Sequence, residues 1–144
     1  LPNTTATPSD RPHLLVWDTC NEDGLQTLCF RHGTYRANYA QGLISRHSQQ
    51  SKSKYLLLSN SSRIDREIQA LREISNDSPK SYVQLEGLDR LITYLAVSGS
   101  ENLRLFWQKL TDLNHLSKRF WIILPSTLVP SDWPQNRLHI VENS

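Results

Sequence analysis

The chain has 144 residues, a net charge of +2 from 16 basic and 14 acidic side chains, 38% hydrophobic residues and 21% charged ones. That is the composition of one globular domain and excludes a disordered chain, and the charge balance is too even to argue for nucleic acid by itself. No apolar run approaches the roughly 18 residues that cross a bilayer, so no membrane span is expected.

LPNTTATPSDRP (1–12) is rich in Pro, Thr, Ser and Asn and has no apolar period, so it reads as a flexible leader ahead of one α/β domain over 13–144. The chain holds no methionine and opens on Leu1-Pro2, which reads as a trimmed start or a domain cut from a longer protein. HLLVWDT (13–19) is a continuous apolar strand. LQTLCFRH (25–32) is read as a second strand, although Leu25, Leu28 and Cys29 also fit a helical turn. TYRANYAQGLISRHSQQ (34–50) places Tyr35, Tyr39, Leu43 and Ile44 at helical spacing and is read as a helix, weakened by Gly42 by about 1 kcal/mol relative to alanine. KYLLLSN (54–60) follows as a strand. SSRIDREIQALREIS then lines up Ile64, Ile68, Leu71 and Ile74, with Ser62 as the expected cap. SYVQLEG (81–87) is a strand that runs into a helix with Leu88, Leu91, Ile92 and Leu95 on one face. A further helix carries Leu103, Phe106, Trp107, Leu110 and Leu113 after the capping candidate Ser100. RFWIILPS (119–126), a loop fixed by three prolines (125–136) and RLHIVEN (137–143) complete the chain.

Strands alternating with amphipathic helices predict an α/β domain. Continuous apolar strands predict a mainly parallel sheet of five or six strands with helices on both faces. A RecA-like or a flavodoxin-like three-layer sandwich satisfies this pattern, with sites at the strand ends.

The chemistry is defined first by what is missing. Nucleotide hydrolysis needs a glycine-rich loop followed by lysine, so that backbone N–H groups cradle the phosphates. The five glycines stand at positions 24, 33, 42, 87 and 99, and none precedes a lysine. A phosphoacceptor receiver domain needs an acid pair after strand one, an aspartate after strand three and a late lysine. Asp18 stands alone, Ser59-Asn60 replaces the acceptor and Pro125 occupies the region of the lysine, which leaves at most a pseudo-receiver acting by protein contact. His13, His32, His47, His115 and His139 are scattered, and neither cysteine sits in a metal-binding spacing. No cofactor, metal or catalytic residue is expected.

Val16-Trp17-Asp18 with Gly24, the turn Glu86-Gly87-Leu88-Asp89-Arg90, and Ile122-Ile123-Leu124-Pro125 with Pro130 carry a family resemblance. The stretch 79–141 resembles the non-hydrolysing N-terminal domain that precedes the ATPase module in AAA-type ATPases of cyanobacteria and plastids. The resemblance implies a degenerate RecA-like fold that positions a partner without hydrolysing ATP. The region 25–60 departs from that pattern.

The expected function is therefore a non-catalytic protein-interaction module within a larger assembly or chain. Its partner-binding face is expected at the strand ends, with Asp18, Ser59, Glu86, Asp89, Ser126 and Trp133. Trp133 in the proline loop is read as an exposed anchor. The alternative is a nucleic-acid-binding accessory domain using Arg36, Arg46, Lys52 and Lys54 from the basic stretch 31–54, where lysine and arginine would supply phosphate affinity. Two cysteines among 144 residues suggest a reduced cytoplasmic domain. The tripeptides beginning at Asn3, Asn60 and Asn76 match the N-glycosylation pattern and keep a secreted protein as the alternative.

Overall fold

The computed structural model describes residues 10–40 and 60–141. Five strands, β1 (His13–Val16), β2 (Tyr35–Asn38), β3 (Tyr82–Glu86), β4 (Arg119–Leu124) and β5 (Leu138–Ile140), form one sheet in the order β2-β3-β4-β1-β5. Every pairing is parallel. Four helices accompany them among the described residues: α1 (Glu22–His32), α2 (Asn60–Asn76), α3 (Leu88–Ser98) and α4 (Ser100–Asp112). The expected α/β sandwich is thus present. A flavodoxin-like or receiver order would run 2-1-3-4-5. Here β4 is inserted between β3 and β1, so the sheet does not have that order and the pseudo-receiver reading gains no support from it.

Alternate residues of each strand face opposite layers. Leu14, Val83, Leu85, Phe120, Ile122 and Leu124 point into the large core under the α2, α3 and α4 layer, against Leu71, Leu91, Ile92, Phe106 and Leu110. Leu15, Trp121 and Ile123 point the other way and meet Leu25 and Leu28 of α1. The central strands are buried on both faces, so they read as continuous apolar runs and not as alternating ones. Two buried polar residues interrupt this, His13 at the start of β1 and Gln84 on β3. Gln84 is fully buried on the α1 side, where its amide nitrogen donates to the Leu25 carbonyl at 3.3 Å and its oxygen accepts from Thr34 Oγ1 at 3.0 Å.

Two expected elements exchange type. LQTLCFRH lies within helix α1, not a strand, because Asn21 caps it: its Oδ1 accepts from the Gly24 amide at 2.8 Å, and Gly33 closes the helix in the left-handed region at φ 60°. Residues 35–38, read as the start of a helix, form β2 instead, with Ala37 turned into the core and Tyr35 and Asn38 exposed. The strand reading of KYLLLSN, like most of the expected 34–50 helix, lies outside the described residues. Helix α2 already begins at Asn60, so Ser62 lies inside it and not at its cap. Helix α4 starts at Ser100, but its cap is Gly99 and no side chain bonds there.

The proline loop does not stay at the strand ends. For β5 to run parallel to β1, residues 125–137 must return from the C-terminal end of β4 to the N-terminal end of β5. On the way Leu128, Val129 and Trp133 pack onto the large core. The last residues of the expected leader are also engaged. The Asp10 carbonyl accepts from the Leu116 amide at 3.1 Å, and the Pro12 carbonyl accepts from Arg137 Nη1 at 3.4 Å.

Candidate functional site at the strand ends

In a parallel sheet all carboxyl ends share one edge, and open α/β folds bind ligands there. Asp18 follows β1, Asn38 ends β2, Glu86 ends β3 and Ser126 follows β4. The topology therefore gathers the acids expected from sequence, and the hydrogen bonds determine what each is free to do.

Glu86 is held by Arg36. From β2, Arg36 Nη2 reaches both carboxylate oxygens at 3.0 and 2.9 Å, and Nε adds a longer bond of 3.3 Å. The same guanidinium donates to Glu22 of α1 through Nη1 and Nη2, at 2.8 and 3.1 Å. One cation thus clamps two carboxylates from two other elements. The Glu22 bonds, joined by Glu86, raise the Arg36 pKa still further above its ordinary range, against a smaller opposing effect of burial. Glu22, bonded to Arg36 and Gln26, is held below the usual carboxylate range. Partial burial pushes the Cys20 thiol up, and the charge of Glu86 adds to it. Cys20 is therefore a protonated thiol at neutral pH, the opposite of an activated nucleophile.

Asp18 has a single visible task. Its Oδ1 accepts from the Ser126 amide at 2.7 Å, which ties the end of β1 to the turn after β4 and holds its pKa below the ordinary value. Asp89 lies exposed in the first turn of α3, where a negative charge suits the helix dipole, and the cap itself is Gly87. Gly87 has φ 89°, and a Cβ there would stand 2.6 Å from Asn38 Oδ1, the atom that accepts from the Ala40 amide at 2.9 Å. "EGLDRL" is thus a strand-to-helix turn that needs glycine twice over, for its backbone angle and for its close approach to β2.

The loop from β1 to α1, Trp17–Asn21, contains no glycine, and the first turn of α1 carries Glu22 and Asp23. Two negative charges at that helix end oppose a phosphate where a positive dipole would otherwise favour one. Gly24 serves the indole of Trp17, whose Cζ2 would lie 2.8 Å from any added Cβ.

Trp133 is not the exposed anchor expected. It is 2% exposed, its Nε1 donates to the Arg137 carbonyl at 3.0 Å, and its ring meets Trp107 edge to face with centroids 5.9 Å apart. Arg137, itself buried, lies over the same indole and donates to the carbonyls of Pro12 and Thr111. Burial, with Arg11 nearby, lowers its pKa. These contacts belong to the N-terminal end of the sheet, away from Asp18 and Glu86. Ser59, Arg46, Lys52 and Lys54 lie outside the described residues. Of the basic set only Arg36 is described, and it is occupied by Glu22 and Glu86.

Sequence reading missed Glu22 as the second carboxylate on Arg36, and Asn21 as a cap, although Asn21-Glu22-Asp23 is a recognisable helix start. Both cysteines are free thiols, and Cys29 Sγ donates to the Thr34 carbonyl at 2.9 Å. Among the described residues no cluster of three or more potential metal ligands occurs, and no helix is long and apolar enough to cross a membrane. No protein-family model matches the chain, and no curated protein or solved structure matches it either.

Proposed function

We propose that this domain is a non-catalytic protein-interaction module built on a RecA-like sheet, acting within a larger assembly or chain. The observation that carries the proposal is the double clamp of Arg36 on Glu86 and Glu22. In a hydrolase of this strand order, the acid ending β3 would hold a metal through water and orient the nucleophile. Here that acid is paired with a guanidinium that it shares with Glu22, and both of its oxygens accept from Arg36. The acidic start of α1 and the glycine-free loop before it support the same reading. So does the resemblance to the non-hydrolysing domain of AAA-type ATPases.

The test is nucleotide turnover and binding with Mg²⁺ on the purified chain. Absence of both is expected, and turnover that disappears in Glu86→Gln would overturn the proposal. Titration of DNA binding against salt addresses the basic stretch 31–54. Retention that falls steeply with salt would replace this reading with the nucleic-acid one, because phosphate neutralisation releases counterions. A neutral protein contact has no such slope.

A further inference from the structure

Five large apolar side chains are exposed among the described residues: Phe30, Tyr35, Tyr94, Val97 and Ile140. Phe30, Tyr35 and Ile140 stand on three different elements, α1, β2 and β5, and single apolar residues are ordinary on a surface. Tyr94 and Val97 share one helix three residues apart, which makes them neighbours on one face of α3. That face is turned away from the core. Leu88, Leu91, Ile92 and Leu95 fill the buried side, while Arg90, Tyr94 and Val97 follow one another at spacings of four and three on the outer side. Tyr94 is 58% exposed and Val97 85%, and Thr93 and Ala96 beside them are exposed as well.

We propose that the outer face of α3 is a self-pairing surface, on which a second copy of this chain docks its own α3 antiparallel about a twofold axis. The order of the residues selects that occupant. Arg90 stands four residues before Tyr94, and Glu101 stands four residues after Val97. The series Arg90, Tyr94, Val97, Glu101 therefore has the same spacing read from either end, with opposite charges at its two ends. An antiparallel pair centred between Tyr94 and Val97 sets the tyrosine of each copy on the valine of the other. It also brings Arg90 of each copy to the C-terminal end of the other copy's α3, where Glu101 opens α4.

The charges at that end suit a cation. Helix α3 has an acid, Asp89, in its first turn and no basic residue in its last, so nothing in the helix itself compensates the negative end of its dipole. Gly99 breaks the helix at φ 144°, and Glu101 follows within three residues of that end. Glu101 is exposed and accepts from Arg104 through Oε2 at 2.8 Å, a surface ion pair of small worth. One helix against one helix buries less than the roughly 1,200 Å² of a standard interface, so the pair is weak and depends on concentration. Because both copies present the same patch, the contact closes at two chains. None of Asp18, Arg36 or Glu86 takes part, so the pairing is independent of what the strand ends do.

Sedimentation velocity on the full chain, from about 10 µM to about 1 mM, tests the pairing. The average mass should climb from one chain towards two and stop there. Val97→Lys puts a charge in the middle of the contact at an exposed position, where folding tolerates it, and should hold the chain monomeric throughout. Arg90→Glu or Glu101→Lys alone sets like charges together at both symmetric contacts and should weaken the dimer about tenfold. The two substitutions in one chain exchange the signs and should restore most of the loss. A chain monomeric at every concentration would leave the face to a different protein and overturn the self-pairing. So would a dimer indifferent to Val97→Lys, assembly beyond two chains, or a double variant as weak as the single ones. Should Val97→Lys not fold, the charge exchange decides alone, since Arg90 and Glu101 are both exposed.

Discussion

Arg36 on β2 reaches past its register partner Gln84 to hold both oxygens of Glu86 on β3, while Glu22 of α1 takes the outer side of the same guanidinium. The cluster joins two strands and a helix at the edge where this class of sheet keeps its chemistry. Its side chains are about three-quarters covered at Arg36 and Glu86, whereas Glu22 is largely exposed.

Glu86→Gln should therefore act on stability. Arg36 keeps Glu22, and the pair is partly solvated, so the loss is expected near 1–2 kcal/mol, the range of charge-assisted hydrogen bonds at partial exposure. Urea unfolding should show a lower midpoint with an unchanged slope. Glu22→Gln should cost less, because Glu22 faces water.

Trp133→Ala should destabilise by about 3–5 kcal/mol, as for a large aromatic removed from a core. A binding anchor on an exposed loop would instead leave stability almost untouched. Trp133→Phe keeps most of the packing and gives up the bond to the Arg137 carbonyl, a loss of about 1 kcal/mol. Thermal or urea unfolding of the two variants side by side separates the contributions.

Gly87→Ala combines a left-handed backbone with a Cβ pressed on Asn38 Oδ1. The backbone term alone is about 1–2 kcal/mol, and displacing Asn38 from the Ala40 amide adds to it. Gly33→Ala, at a similar φ but with nothing within 4 Å of the added Cβ, should lose only the backbone term. The difference between the two variants in urea measures the close approach at the end of β3.

Asp18 contributes a pH dependence of definite sign. Its folded pKa lies below the ordinary value because the Ser126 amide bonds the carboxylate. The stabilisation is present in full above the unfolded value of about 3.9 and is lost as pH falls through the lower folded value. Asp18→Asn should reduce stability at neutral pH and flatten its fall on acidification. Parallel unfolding curves at neutral and acid pH for both chains check this, and equal sensitivity in both would assign the acid response elsewhere.

What the residues determined by themselves was the layer pattern. Apolar runs at Leu14–Val16, Val83–Leu85 and Phe120–Leu124 cannot face water on either side, so they fix a parallel sheet covered twice, and the stripes of α2, α3 and α4 follow from their spacing. The missing phosphate loop was equally plain, since it is a contiguous motif. Short segments were not legible in this way. The apolar positions of 25–32 fit a strand or a helical turn equally, and 35–38 is only four residues long, so their types were decided by the Asn21 cap, the Gly33 stop and pairing with β3. Trp133 looked exposed because it lies among prolines and polar residues. Only the return of the chain to the start of β5 presses it against Trp107. The partnerships of Arg36 with Glu86 and of His13 with His139 span 50 and 126 residues. Such contacts depend on strand order, and no local period in a sequence records which strands lie side by side.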